Sequence, residues 1–319
     1  MRYEDLKAIF DADMARYEHE GSVLRDPMWI DIDDLFNGET NETWLVQDVW
    51  PAQRQIHVHA SHKTGKSLMA LWVAGNLGRG RDPFSGAERP PVRIAYLDYE
   101  MTVDDVRERL TDMGFTADDL RENLLYALHP ALPPLDAFAG GVELVNRLIA
   151  ANAEAVIFDT FSRIVAGDEN SNDTYRAFYK NTGMPLKSAG ISMMRLDHEG
   201  YTEGRSRGAS AKADDVDVVW QLVQTDNGLK FNRKQSRISW VPESVPIMQT
   251  DGPLGYIRTG VSWPNGTMEK VAELDGLNAD AGVSIREARR LLKEANLEGG
   301  KNDVLRAACN YRKNRIIGL

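Results

Sequence analysis

The octapeptide Ala60-Ser61-His62-Lys63-Thr64-Gly65-Lys66-Ser67 constrains this chain more than any other stretch. It follows IHVHA (Ile56 to Ala60), an apolar run of strand length. It precedes SLMALWVAGNLG, whose apolar residues recur at helical spacing. A tight turn from strand into helix presents successive backbone N–H groups at the helix N-terminus, where they form a nest for an anion. The stretch fits G-x-x-x-x-G-K-[ST] except at its first position, where Ala60 requires backbone angles that an alanine accepts. In such a loop Ser61, His62, Lys63, Thr64, Gly65, Lys66, Ser67 and Leu68 surround the phosphates of ATP. Lys66 reaches the β and γ phosphates, and the Ser67 hydroxyl ligates Mg2+. The bland alternative, a chance G-K-S turn, does not account for the strand before it and the helix after it.

The rest of the chain supplies a setting for that loop. VRIAYLD (Val92 to Asp98), LLYAL (Leu124 to Leu128), AVIFD (Ala155 to Asp159) and GISMMRL (Gly190 to Leu196) read as strands. Between them lie helical stretches: VDDVRERLTDMG behind an N-cap at Thr102, GVELVNRLIAAN, and a segment around Asp173 to Ser188. This alternation predicts an α/β fold with a mainly parallel sheet and helices on both faces. Beyond Val216 consecutive strands or hairpins take over, with little helix. The expected organisation is a polar helical arm over 1–27, a core over 28–278, and a small basic helical module over 279–319. That module has the rhythm of a winged helix.

Composition narrows the classes. Hydrophobic residues at 42% and charged residues at 27% suit a packed, water-facing protein. No apolar run reaches the roughly 18 to 20 residues of a membrane helix. The N-terminal stretch has scattered acids and no hydrophobic block, so it does not read as a secretory signal. A single cysteine, Cys309, excludes an internal disulfide and fits a reducing cytoplasm. The net charge of −10 excludes a uniformly basic nucleic-acid binder. Residues 280–319 nevertheless hold nine Lys/Arg against five Asp/Glu, a local excess that permits contact with a nucleic acid.

Candidate chemistry clusters at predicted strand ends. Asp159 closes AVIFD and fits an acid that orients magnesium at the end of a strand neighbouring the loop's own. Glu100, just past IAYLD, is the carboxylate placed to activate water, with Asp98 as the competitor. His198 follows GISMMRL, where a parallel sheet presents its ligand-facing ends; a buried structural histidine is the alternative. The histidines of HVHASH have no carboxylate nearby to complete a metal site, so His57 and His59 are expected in the core or at the sheet's edge.

Taken in order, ASHKTGKS, IAYLDYEM, AVIFDTFSRIVAGDENSND, LDHEG and GRSRGASAKADDVDVVWQL resemble the RecA-like ATPases, and among them the plasmid RepA-type hexameric replicative helicases. The resemblance spans roughly Trp29 to Val245. It departs at Asp197, where relatives often have the first histidine of a pair, so only His198 carries over as a γ-phosphate sensor. It implies a RecA-like P-loop NTPase core, homo-oligomeric (hexameric) rings, single-stranded DNA as partner, and replication proteins as further partners. It also implies a basic residue completing each neighbour's site, for which Lys234 and Arg237 in FNRKQSR, or Arg207, are candidates. Arg205 and Arg207 are the candidates for a DNA-touching channel loop. Arg289 and Arg290, on the first helix of the basic module, are candidates for a second DNA contact. A filament-forming recombinase or mediator, a nucleotide-regulated DNA-binding loader and, more distantly, a small-molecule kinase are the competing classes.

Overall fold

The computed structural model describes residues 30, 32–37, 43–168, 171–198, 215–238 and 240–317. The expected arm over 1–27, and Arg205 and Arg207, lie outside them. The chain divides into two units, 1–42 and 43–319. In the first, Ile32–Asn37 forms a short helix within a stretch expected to be irregular.

The second unit opens with β1 (Trp44–Val46) and β2 (Trp50–Pro51), a two-stranded antiparallel ladder also absent from the sequence reading. The remaining strands are β3 (Gln55–Ala60), β4 (Ile94–Asp98), β5 (Leu124–Leu128), β6 (Ala155–Asp159), β7 (Ser192–His198), β8 (Val218–Thr225), β9 (Gly228–Ser236), β10 (Ser244–Asp251) and β11 (Leu254–Arg258). They join one nine-stranded sheet in the order β11-β10-β9-β8-β3-β7-β6-β4-β5. From β8 to β5 every pairing is parallel; from β8 to β11 every pairing is antiparallel. The loop's strand and the Asp159 strand are therefore not neighbours, contrary to the sequence reading, because β7 lies between them.

Both faces of the parallel part are covered, which is why its strands read as nearly continuous apolar runs. Ile56, Val58, Ile157, Met194 and Leu196 pack on one face with Met69, Ala70 and Val73 of the Lys66–Gly78 helix. Val156, Phe158 and Met193 pack on the other face with Leu144 and Leu148 of the Phe138–Ala150 helix and with Tyr175, Phe178 and Leu186. The helix expected around Asp173 to Ser188 is continuous in direction but loosened into a π-turn at Tyr179–Gly183. Thr102 caps its helix as expected, in a reciprocal box with Asp105. No described helix is long and apolar enough to cross a membrane.

β3 lies in the middle of the sheet, so His57 and His59 are core residues and do not lie at an edge. Beside them Arg195 is fully buried. Its guanidinium pairs with Asp215 through two hydrogen bonds of 3.0 and 2.8 Å, and its Nε donates to His57 Nδ1 at 3.2 Å. The rings of Phe161 and Tyr175 lie 5.2 and 5.1 Å from it. Removing one partner of a buried pair leaves an uncompensated charge. Asp215→Ala should therefore lower unfolding stability by about 3–5 kcal/mol, and adding Arg195→Met should recover much of it; thermal and urea unfolding of both variants checks this.

At the C-terminal end, Ile285–Glu294 and Asn302–Ile317 form the two expected helices. A third, Thr267–Gly276, joins them through Leu274, which packs with Ala288, Leu292, Leu305 and Cys309. Arg312 is buried and binds Asp275 and the carbonyls of Ala279 and Asp280, so it ties the last helix to the Thr267–Gly276 helix and to the turn that follows it.

Candidate nucleotide site

Strand registers set the site. Ala60 pairs with His198, and Asp98 pairs with Asp159, so four strands end along one edge of the sheet. Ala60 is still in strand conformation, which is why an alanine serves where the pattern has glycine. The left-handed backbone falls later, on Lys63 (φ 61°) and on Gly65 (φ 89°), which caps the Lys66–Gly78 helix. Position 65 is where a side chain would be strained. Thr64 closes the loop by donating to the Ser61 carbonyl at 2.8 Å.

Lys66 is buried, and its ammonium donates to the Asp197 carbonyl at 3.0 Å, with His198 Nδ1 at 3.4 Å. Burial pulls its pKa down, while Asp159, Asp197 and Glu100 act to raise it. Glu100 is therefore within electrostatic reach of the loop lysine, and it is exposed. The Ser67 hydroxyl donates to Asp159 Oδ1 at 3.0 Å across the intervening strand. Asp159 Oδ2 accepts from the Tyr96 hydroxyl at 2.7 Å. Burial pushes the Asp159 carboxyl above its ordinary range, against the lowering effects of Tyr96, Ser67 and Lys66.

Asp98 differs from Glu100. Its Oδ1 accepts the backbone N–H groups of Glu100 (2.8 Å) and Met101 (3.1 Å), and its Oδ2 accepts from the Tyr126 hydroxyl. A carboxylate so engaged orients the turn that carries Glu100. Tyr126 stacks on Tyr96 with centroids 5.2 Å apart and planes 6° from parallel. The two rings thus bridge the carboxylates of β4 and β6.

His198 lies beside Lys66, as a sensor role needs, and its ring stacks on that of His62 at 4.3 Å. The Asp197 carboxylate accepts from the Tyr175 hydroxyl at 3.1 Å and from the His198 backbone N–H at 2.8 Å, fixing the end of β7. Tyr96, Tyr126, Tyr175 and Asp197 are site residues that the sequence reading missed. Tyr96 and Tyr126 sit in apolar strands whose pattern announces only core, Tyr175 sits in the mixed segment NDTYRAF, and Asp197 stands out in LDHEG only as a departure from the family pattern.

The other candidates lie elsewhere. Ser236 pairs with Val218, and the Arg237 backbone N–H bonds the Asp217 carbonyl, next to Gln55 at the start of β3. Arg237 therefore lies toward the end of the sheet opposite the loop, about five residues or roughly 16 Å away along the strands, whereas Lys234 is level with His57 and Val58 of β3, two strands across the sheet. Arg289 donates to Asn302, and Arg290 pairs with Glu287 and Glu294 within the C-terminal helices.

A parallel sheet carrying a strand–loop–helix anion nest, with a lysine, a hydroxyl and an acid converging on it, defines a P-loop nucleotide-binding protein. Residues 20–204 match the family described as the AAA domain. The chain belongs to that family, an AAA-type ATPase domain. No curated protein matches the chain.

Proposed function

We propose that this chain is a Mg2+-dependent ATPase that assembles into a ring, hexameric as in the RepA-type helicases it resembles. The ring would move along single-stranded DNA and unwind duplex during replication. The observation that carries the reading is the convergence of Lys66, Ser67, Asp159, Glu100 and His198 on one sheet edge. Ser67 and Asp159 already touch, and a hydroxyl with a carboxylate is an oxygen donor set that suits Mg2+. Bound there, the ion would neutralise charge on the β and γ phosphate oxygens.

The chain's own groups account for the rest. The backbone N–H groups of the loop hold the phosphates, and Lys66 exchanges the Asp197 carbonyl for a phosphate oxygen. Glu100 accepts the proton of the attacking water, while Asp98 fixes the turn that aims it. His198 reads the γ-phosphate beside Lys66. In a ring a basic residue of the next subunit completes each site, and Lys234 and Arg237, or Arg207, are the candidates.

Steady-state ATP hydrolysis with and without single-stranded DNA, on protein of known oligomeric state, tests this. Stimulation of severalfold or more by the strand is expected. Turnover indifferent to nucleic acid would sink the helicase reading and favour a loader whose nucleotide controls assembly.

A further inference from the structure

We infer that a groove along β9 binds the sugar–phosphate chain of a single-stranded nucleic acid. The inference rests on the single-strand reading above and adds a site to it. The groove has a volume of about 710 Å³ and runs from Lys230 through Lys234 to Arg237. None of these three cations makes a side-chain hydrogen bond or ion pair among the described residues. In a chain of net charge −10, three such cations along one strand form a local anion-attracting line.

Local geometry opens the line to solvent. Trp220 pairs with Arg233 and Val219 with Gln235, so Lys234 is the extra residue of a β-bulge. The bulge breaks the alternation that would otherwise turn every second cation inward, and Lys234, Gln235 and Arg237 are all exposed.

The groove's chemistry selects the ligand. Seven residues of extended chain separate Lys230 from Arg237, roughly 20 Å, longer than one triphosphate and suited to several successive phosphodiesters. Asn232, Gln235, Ser244 and Ser262 continue the lining with amide and hydroxyl groups of the kind that donate to phosphate oxygens. Among the described residues Ile238 and Pro264 are its only apolar lining and none is aromatic, so it offers no stacking platform for a base and suits contact with backbone without sequence. Two acids, Glu243 and Asp303, also line it. They act on Arg233, whose guanidinium bonds the Val241 carbonyl, and burial pulls that group's pKa down. The two acids offset part of the groove's charge, which leaves four cations, Lys230, Arg233, Lys234 and Arg237, against two carboxylates.

The phosphate could instead belong to a nucleotide on a neighbouring subunit, and the test separates the two. Binding of a labelled oligothymidylate to the full chain is measured without nucleotide, across a salt series. A Lys230→Glu variant should bind about tenfold more weakly. The triple alanine variant at Lys230, Lys234 and Arg237 should lose most affinity, and its log–log salt slope should fall in magnitude by about 2. Unfolding midpoints near the wild type establish that the variants fold. Unchanged affinity and slope in the folded triple variant overturn the groove. So does loss of DNA-independent turnover in Lys234→Ala/Arg237→Ala with strand binding intact, which assigns these cations to a neighbour's nucleotide. A wild type that hydrolyses ATP but binds no strand removes the groove and the single-strand reading together, leaving the phosphate loop standing.

Discussion

Replacing Lys66 with alanine should reduce ATP turnover by about a hundredfold or more, the usual loss when a preorganised charge is removed from a transferring phosphoryl group. The fold should survive. The ammonium is bonded to one backbone carbonyl and lies near one histidine, and burial disfavours its charge. Truncation removes a desolvated cation, and Asp197 keeps its bonds to Tyr175 and to the His198 N–H. Turnover and thermal unfolding measured on one preparation give the answer. Retained turnover would remove the phosphate-loop assignment, whereas loss of both turnover and fold would make the lysine structural.

The second large effect is expected at Glu100. Glu100→Gln keeps shape and hydrogen-bonding length but cannot accept a proton, so turnover should fall by roughly 10²–10⁴. Binding of a non-hydrolysable ATP analogue should stay within about threefold of wild type, since the loop's contacts to phosphate come from other residues. Asp98→Asn provides the contrast. It weakens the bonds that hold the Glu100 and Met101 N–H groups, so it should act through the placement of Glu100 and leave a larger residual rate. If Asp98→Asn proves the more damaging and Glu100→Gln is nearly silent, the roles of the two carboxylates are reversed.

What was legible in the sequence was local. The loop from Ala60 to Ser67 declares itself because the turn chemistry, the cationic residue and the hydroxyl are consecutive. Strand identities followed from short apolar runs, and Thr102 marked its helix through a capping box built from adjacent residues. Order across the sheet was not legible. Whether β6 or β7 lies beside β3 depends on packing between segments more than a hundred residues apart, and nothing in AVIFD encodes its neighbour. The Thr267–Gly276 helix is not announced in the sequence because it begins at Gly266 with no side-chain cap. Tyr96 and Tyr126 escaped for a different reason. Aromatic residues in strands are ordinary core, and only the register that aligns β4 with β5 and β6 turns their hydroxyls toward Asp159 and Asp98.

The contact between Lys66 and the Asp197 carbonyl has an implication for how this site tolerates change. A main-chain acceptor is present whatever side chain occupies that position. A different side chain at residue 197 would therefore leave the carbonyl acceptor of the lysine in place, while altering what the side chain does. Here the carboxylate accepts from Tyr175 and from the following N–H. The contribution of this position to holding the lysine is thus made by an atom that substitution of the side chain does not remove.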